Sequence, residues 1–175
     1  KEAMESICRQ VRETGADLGI IFDTDVDRSA AVTSKGQPIS RNAIVALAAA
    51  IGADDYPGGT VVTDSITSNE LHTFLEDNLG LKHLRYKRGY KNVINKAIEL
   101  SQEGENAFLA IETSGHAAYS DNFYLDDGAF LAVQTIINAA NLKKEGKGIE
   151  HMIADLAEPA RSEEHTSELQ SHSEI

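Results

Sequence analysis

The chain has 175 residues, 41% of them hydrophobic and 25% charged, and a formal net charge of −12. That balance is globular, since a disordered acidic chain would be poorer in Ile, Val and Leu. The negative charge argues against nucleic-acid binding, which needs clustered Lys and Arg, but it leaves room for a small phosphorylated substrate in a local cationic pocket. No apolar run approaches the roughly 20 residues of a membrane span, so no membrane partner is expected.

Residues 2–14 read as an amphipathic helix ended by Gly15. Within it, Met4, Ile7, Cys8 and Val11 form the apolar stripe. Cys8 is the single cysteine, which excludes an internal disulfide and reads as a core thiol in a reducing, cytoplasmic compartment. Leu18–Phe22 and Ser29–Thr33 read as strands around a polar turn. Residues 41–52 read as a nearly all-apolar, buried helix. Asp54–Gly59 is the strongest boundary on composition. A strand over 60–64 follows. Thr67 and Glu70 then form a capping-box pattern before Leu71, Phe74, Leu75 and Leu79. Residues 83–87 read as a strand, 93–104 as a helix, 107–111 as a strand and 127–140 as a helix. Strand–helix alternation predicts an α/β fold, with mixed sheets flanked by helices. A short helix is expected around 149–156. From Arg161 the text RSEEHTSELQSHSEI has no apolar period. Residues 161–172 resemble translated read-through of a sequencing-library adapter. Residues 161–175 are therefore set aside as a non-native tail, and His165 and His172 with them.

Three loops carry chemistry. In Asp23-Thr24-Asp25-Val26-Asp27-Arg28, three alternate carboxylates follow an apolar strand. Alternate residues of a tight loop can converge on one point, and hard divalent ions take carboxylate oxygens. Ligand sites of open α/β sheets also lie at the carboxyl ends of strands. A solvated acidic turn is the bland alternative. A calcium hand fails, because its sixth and twelfth positions would be Arg28 and Ser34 rather than Gly and Glu. In Glu112-Thr113-Ser114-Gly115-His116, a carboxylate, a hydroxyl and an imidazole follow another apolar strand. Those groups suit sugar hydroxyls and phosphate, although a loop with a helix-capping Ser reads as well. In Lys87-Arg88-Gly89-Tyr90-Lys91, three cations surround a glycine and suit an anionic ligand; a solvated basic turn is the alternative.

Taken together, the loops resemble those of the α-D-phosphohexomutases, the phosphoglucomutase/phosphomannomutase superfamily. DTDVDR resembles the magnesium loop D-G-D-x-D-R, ETSGH the sugar-binding loop E-x-S-G-H, and KRGYK the K-x-G-x-K segment before it. Their order and separation match too, over about residues 1–160. The resemblance implies that 1–56 end the family's second domain, that 57–142 form its third, and that 143–160 lead toward a fourth. The expected architecture is therefore one partial and one complete domain of this type. It implies Mg²⁺ on Asp23, Asp25 and Asp27, with Arg28 beside the phosphoryl group in transit. Glu112, Ser114 and His116 would meet the sugar, with Lys91 a weaker match. Lys87 would be a proton relay. The implied activity interconverts hexose 1-phosphate and 6-phosphate through a phosphoserine and a bisphosphate intermediate. Thr24 departs from the usual Gly, at little cost if its φ is negative. No T-A-S-H-N-P serine loop and no R-x-S-G-T-E-P phosphate clamp stand in the chain. The expectation is therefore a fragment without mutase activity of its own. Two other readings stay open: a haloacid-dehalogenase-like aspartyl phosphatase with Asp23 as nucleophile and Asp25 as acid/base, and a non-catalytic sugar-phosphate or metal binding module. Oligomeric state and the particular hexose are not read from the sequence.

Overall fold

The computed structural model describes residues 1–157. The tail over 161–175 and the last residues of the expected linker lie outside them. Helix α1 (Glu2–Thr14) buries Cys8 and Val11 and ends where Gly15 enters the left-handed region at φ 68°. Strands β1 (Leu18–Phe22) and β2 (Ser29–Thr33) form an antiparallel hairpin whose tip is the acidic loop. A two-residue β3 (Pro38–Ile39) completes a three-stranded sheet. It escapes sequence reading because two residues have no period, and its proline suits only an edge.

Helix α2 (Asn42–Ala53) is apolar on most faces because it is covered on most faces. Strand β4 (Thr60–Asp64) is buried along its whole length. It pairs in parallel with β5 (Lys82–Tyr86) on one side and β6 (Leu109–Ile111) on the other. The antiparallel β7 (Ala117–Tyr119) closes a mixed four-stranded sheet of order β5-β4-β6-β7. Helices α3 (Asn69–Thr73), α4 (Tyr90–Gln102) and α5 (Gly128–Lys144) complete the layers. The expected α/β class with mixed sheets flanked by helices therefore holds.

One expectation changes. Ser68 rather than Thr67 caps α3, its Oγ accepting the Leu71 N–H at 3.1 Å. Thr67 is drawn away because its hydroxyl accepts from Arg85 Nε at 3.0 Å. The division at 56/57 falls inside a continuous core. There Ile44, Leu47 and Ala49 of α2 pack with Val61, Leu71, Phe108 and Leu109 of the second sheet and its helices. From 143, α5 runs on to Lys144, and a short 3₁₀ turn over Ile149–Ile153 buries Ile149 against the same core.

Candidate functional site

The carboxyl ends of β1, β4, β5 and β6 all contribute to one region, as open α/β sheets favour. The acidic loop after β1 brings ligand atoms of Asp23, Asp25 and Asp27 within 4.8 Å of one another. Arg28 is held there too. Its Nε donates to Asp23 Oδ2 at 2.6 Å, and its backbone N–H reaches Asp23 Oδ1 at 3.2 Å. Burial raises the Asp23 pKa, but the Arg28 hydrogen bonds outweigh it and leave the carboxyl below its usual range. Asp27 moves the other way, raised by burial and by its Asp23 neighbour. Its Oδ1 is buried without a hydrogen-bond partner. Thr24 keeps a non-positive φ, and Val26 takes the left-handed conformation instead, at φ 65°.

The Glu112–His116 segment is the tight turn between β6 and β7, closed by the Glu112 N–H on the His116 carbonyl at 2.9 Å. Glu112 is almost fully buried. Its Oε1 accepts the Gly89 N–H at 2.7 Å, and Ser114 Oγ lies 3.4 Å from Oε2. His116 Nδ1 sits 2.6 Å from Asp126 Oδ2, and the ring stacks on Tyr90 at 4.7 Å between centroids. Asp64, at the end of β4, is 2% exposed. Its Oδ2 accepts the Thr113 hydroxyl at 3.0 Å, and burial raises its pKa.

The two loops meet directly, because Arg28 and His116 pair as an isolated antiparallel β-bridge. Beside them lies an open cavity of about 1130 Å³. Ser29, Arg41, Asp64, Arg88, Glu112, Ser114 and His116 are among its lining residues.

The structure thus brings together Asp23, Asp25, Asp27, Arg28, Glu112, Ser114 and His116. It does not bring Lys87 or Lys91 to the cavity. Both are exposed, with their ammonium groups about 6.0 and 5.9 Å from the Tyr86 and Tyr90 ring centroids. Arg88, exposed like them, is the cation of this loop that lines the cavity, and Gly89 beside it donates its N–H to Glu112. Arg41, Asp64 and Asp126 were missed. A signal existed for Asp64, a carboxylate ending the β-branched run Thr60–Thr63. None existed for Asp126, which sequence alone does not separate from the helix-capping Asp127.

Comparison with known proteins bears on the same residues. The family model for phosphoglucomutase/phosphomannomutase, alpha/beta/alpha domain III, matches residues 40–159. The chain belongs to that family. The aspartyl-phosphatase reading falls with that finding, and the third-domain match begins at α2, ahead of the 56/57 division. A phosphomannomutase/phosphoglucomutase of Pseudomonas putida is 31% identical over 136 residues, covering 77% of this chain and 28% of that protein. Phosphoglucosamine mutases match at a comparable level. A solved family member from Burkholderia thailandensis superposes with a TM-score of 0.76 at 25% identity, over 91% of this chain and 33% of that one. An Aspergillus fumigatus N-acetylphosphoglucosamine mutase, solved with GlcNAc-6P and magnesium, shares the fold at a TM-score of 0.55 and 16% identity. It covers 79% of this chain and 35% of its own. The chain spans under a third of the curated relatives it matches. Among the described residues, no helix is long and apolar enough to cross a membrane.

Proposed function

We propose that this chain is the metal- and sugar-binding part of a cytoplasmic, Mg²⁺-dependent hexose phosphomutase. The whole enzyme would interconvert hexose 1-phosphate and 6-phosphate by way of a phosphoserine and a hexose bisphosphate. The observation that carries this reading is the bridge between Arg28 and His116, which seats the acidic loop against the sugar-type loop beside one cavity.

The residues fit the metal. Three carboxylates with ligand atoms within 4.8 Å are a hard-oxygen donor set, and the buried Asp27 Oδ1, which has Arg28 Nε at 3.8 Å but accepts no hydrogen bond, is an acceptor that a cation satisfies. Asp23, Asp25 and Asp27 would hold it, and the bound ion would supply positive charge beside a phosphoryl group in transfer. Arg28, pinned by Asp23, adds a second, pH-independent charge. Glu112 is oriented by the Gly89 amide, so a sugar hydroxyl would meet a carboxylate already in place. Ser114 offers a hydroxyl and His116 a ring nitrogen to the same ligand. Arg88 and Arg41 would attract its phosphate.

Calorimetric titration of the full chain tests the reading. Mg²⁺ binds saturably, and Asp25→Asn weakens it at least about tenfold. Glucose 6-phosphate binds the wild-type chain, and glucose 1-phosphate is not converted, since no serine loop is present. Absence of Mg²⁺ binding overturns the metal assignment, and turnover by the purified chain overturns the assigned division of labour.

A further inference from the structure

We propose that Asp126 is a positioning residue of this site: it fixes the His116 proton on Nδ1 and leaves Nε2 to the ligand. The proposal rests on the functional reading above for the identity of that ligand, a hexose phosphate.

Both oxygens of Asp126 are committed to the turn that carries His116. Oδ2 stands 2.6 Å from His116 Nδ1, and Oδ1 accepts the Ala117 N–H at 3.1 Å. A carboxylate can only accept, so the nitrogen facing it must carry the hydrogen. Asp27 Oδ2 is 3.7 Å from the same nitrogen, which makes the whole Nδ1 side acidic. The two side chains are 16% and 13% exposed, so little water competes for this pairing. The ring and its backbone are held on several sides. Tyr90 stacks on it at an interplanar angle of 20°, the backbone pairs with Arg28, and β7 begins at the next residue. Nε2 makes no hydrogen bond among the described residues, and the ring lines the cavity. With Nδ1 committed to Asp126, Nε2 is the ring nitrogen left to the ligand. Asp126 therefore sets which group the hexose phosphate meets, without touching it.

Ring nitrogen NMR on the full ¹⁵N-labelled chain at pH 8 decides this, with His116→Gln assigning the signals. The wild type is expected to show a pyrrole-type Nδ1 and an imine-type Nε2. Asp126→Asn keeps an oxygen for the Ala117 amide but places a donor amide at Nδ1. It is expected to lose the one-sided pattern while Tm stays near wild type. Asp126→Glu, which restores a carboxylate, is expected to recover it. A wild-type spectrum with the hydrogen on Nε2 overturns the proposal, and so does an unchanged pattern in Asp126→Asn. The wild-type spectrum alone decides the matter if the variant fails to fold. Glucose 6-phosphate is then added. Movement of the Nε2 signal supports the ligand-facing role, while movement of the Glu112 and Ser114 signals without Nε2 overturns it. No movement at any of them counts against the functional reading and leaves the tautomer result standing.

Discussion

Val26 stands at φ 65° between two carboxylates, a region that costs a side-chain-bearing residue roughly 1–2 kcal/mol. The conformation persists because both of its backbone groups are held. Its N–H donates to the Asp23 carbonyl at 3.3 Å, and its carbonyl accepts from Gly128 at 3.1 Å. Val26→Gly should therefore raise stability by about 0.5–1 kcal/mol in urea denaturation, glycine's own entropy cost taking back part of the gain. Mg²⁺ affinity should hardly change, because the carboxylates stay in place. Gly128 is the opposite case. A Cβ there would lie 2.7 Å from the Arg28 carbonyl carbon and 2.8 Å from the Val26 oxygen, backbone atoms that cannot step aside. Gly128→Ala should cost about 1–3 kcal/mol and weaken Mg²⁺ binding in the same preparation. Both effects are read by denaturation and calorimetry. Neither position was flagged by the chemistry-bearing motifs, which mark side chains and not close backbone approaches.

At the level of elements, long periodic segments were readable and short or shared ones were not. Helices α1 and α4 announce themselves through apolar spacing, α2 through a nearly all-apolar run, and β4 through a β-branched run with an acidic end. Strands β3 and β7 are too short to show a period, so the sugar-type loop was read as following a strand rather than joining two. The acidic and sugar-type loops were readable because three carboxylates, or a carboxylate, hydroxyl and imidazole, are chemistry packed into a few residues. In the cationic loop, which of Lys87, Arg88 and Lys91 lines the cavity depends on a bond from Gly89 to a residue far along the chain. Strand β5 carries its own testable feature. His83 is driven down to a pKa of about 4, by burial first and then by Arg85 and His72. Its Nε2 lies 2.7 Å from the Thr63 hydroxyl and its Nδ1 2.8 Å from His72. The folded chain thus binds this proton less readily than the unfolded chain does. Its contribution is complete above about pH 6.5 and fades as pH falls toward 4. His83→Gln should flatten that fall by about 1–2 kcal/mol, measured as the difference between wild-type and variant urea midpoints at pH 7 and pH 5. Parallel curves would rule it out.

Among the described residues, the largest apolar core runs from Ala31 and Ile39 of the first sheet through α2 to Leu109 and Leu131. Phe108 anchors it, stacked on Tyr56 at 5.1 Å. Far-ultraviolet circular dichroism and tyrosine fluorescence should therefore report one coincident unfolding transition. Two separated transitions would mean that the sheets fold apart. The Asp126–Asp127 pair has a mechanical consequence for this body. Asp126 grips the turn that bears His116, while Asp127 caps α5, whose first amide grips the acidic loop. Both loops thus hang from a single fulcrum at the start of one helix. A hinge running between them would have to break all of these links at once. Any opening or closing around a ligand must swing the two loops together as one jaw.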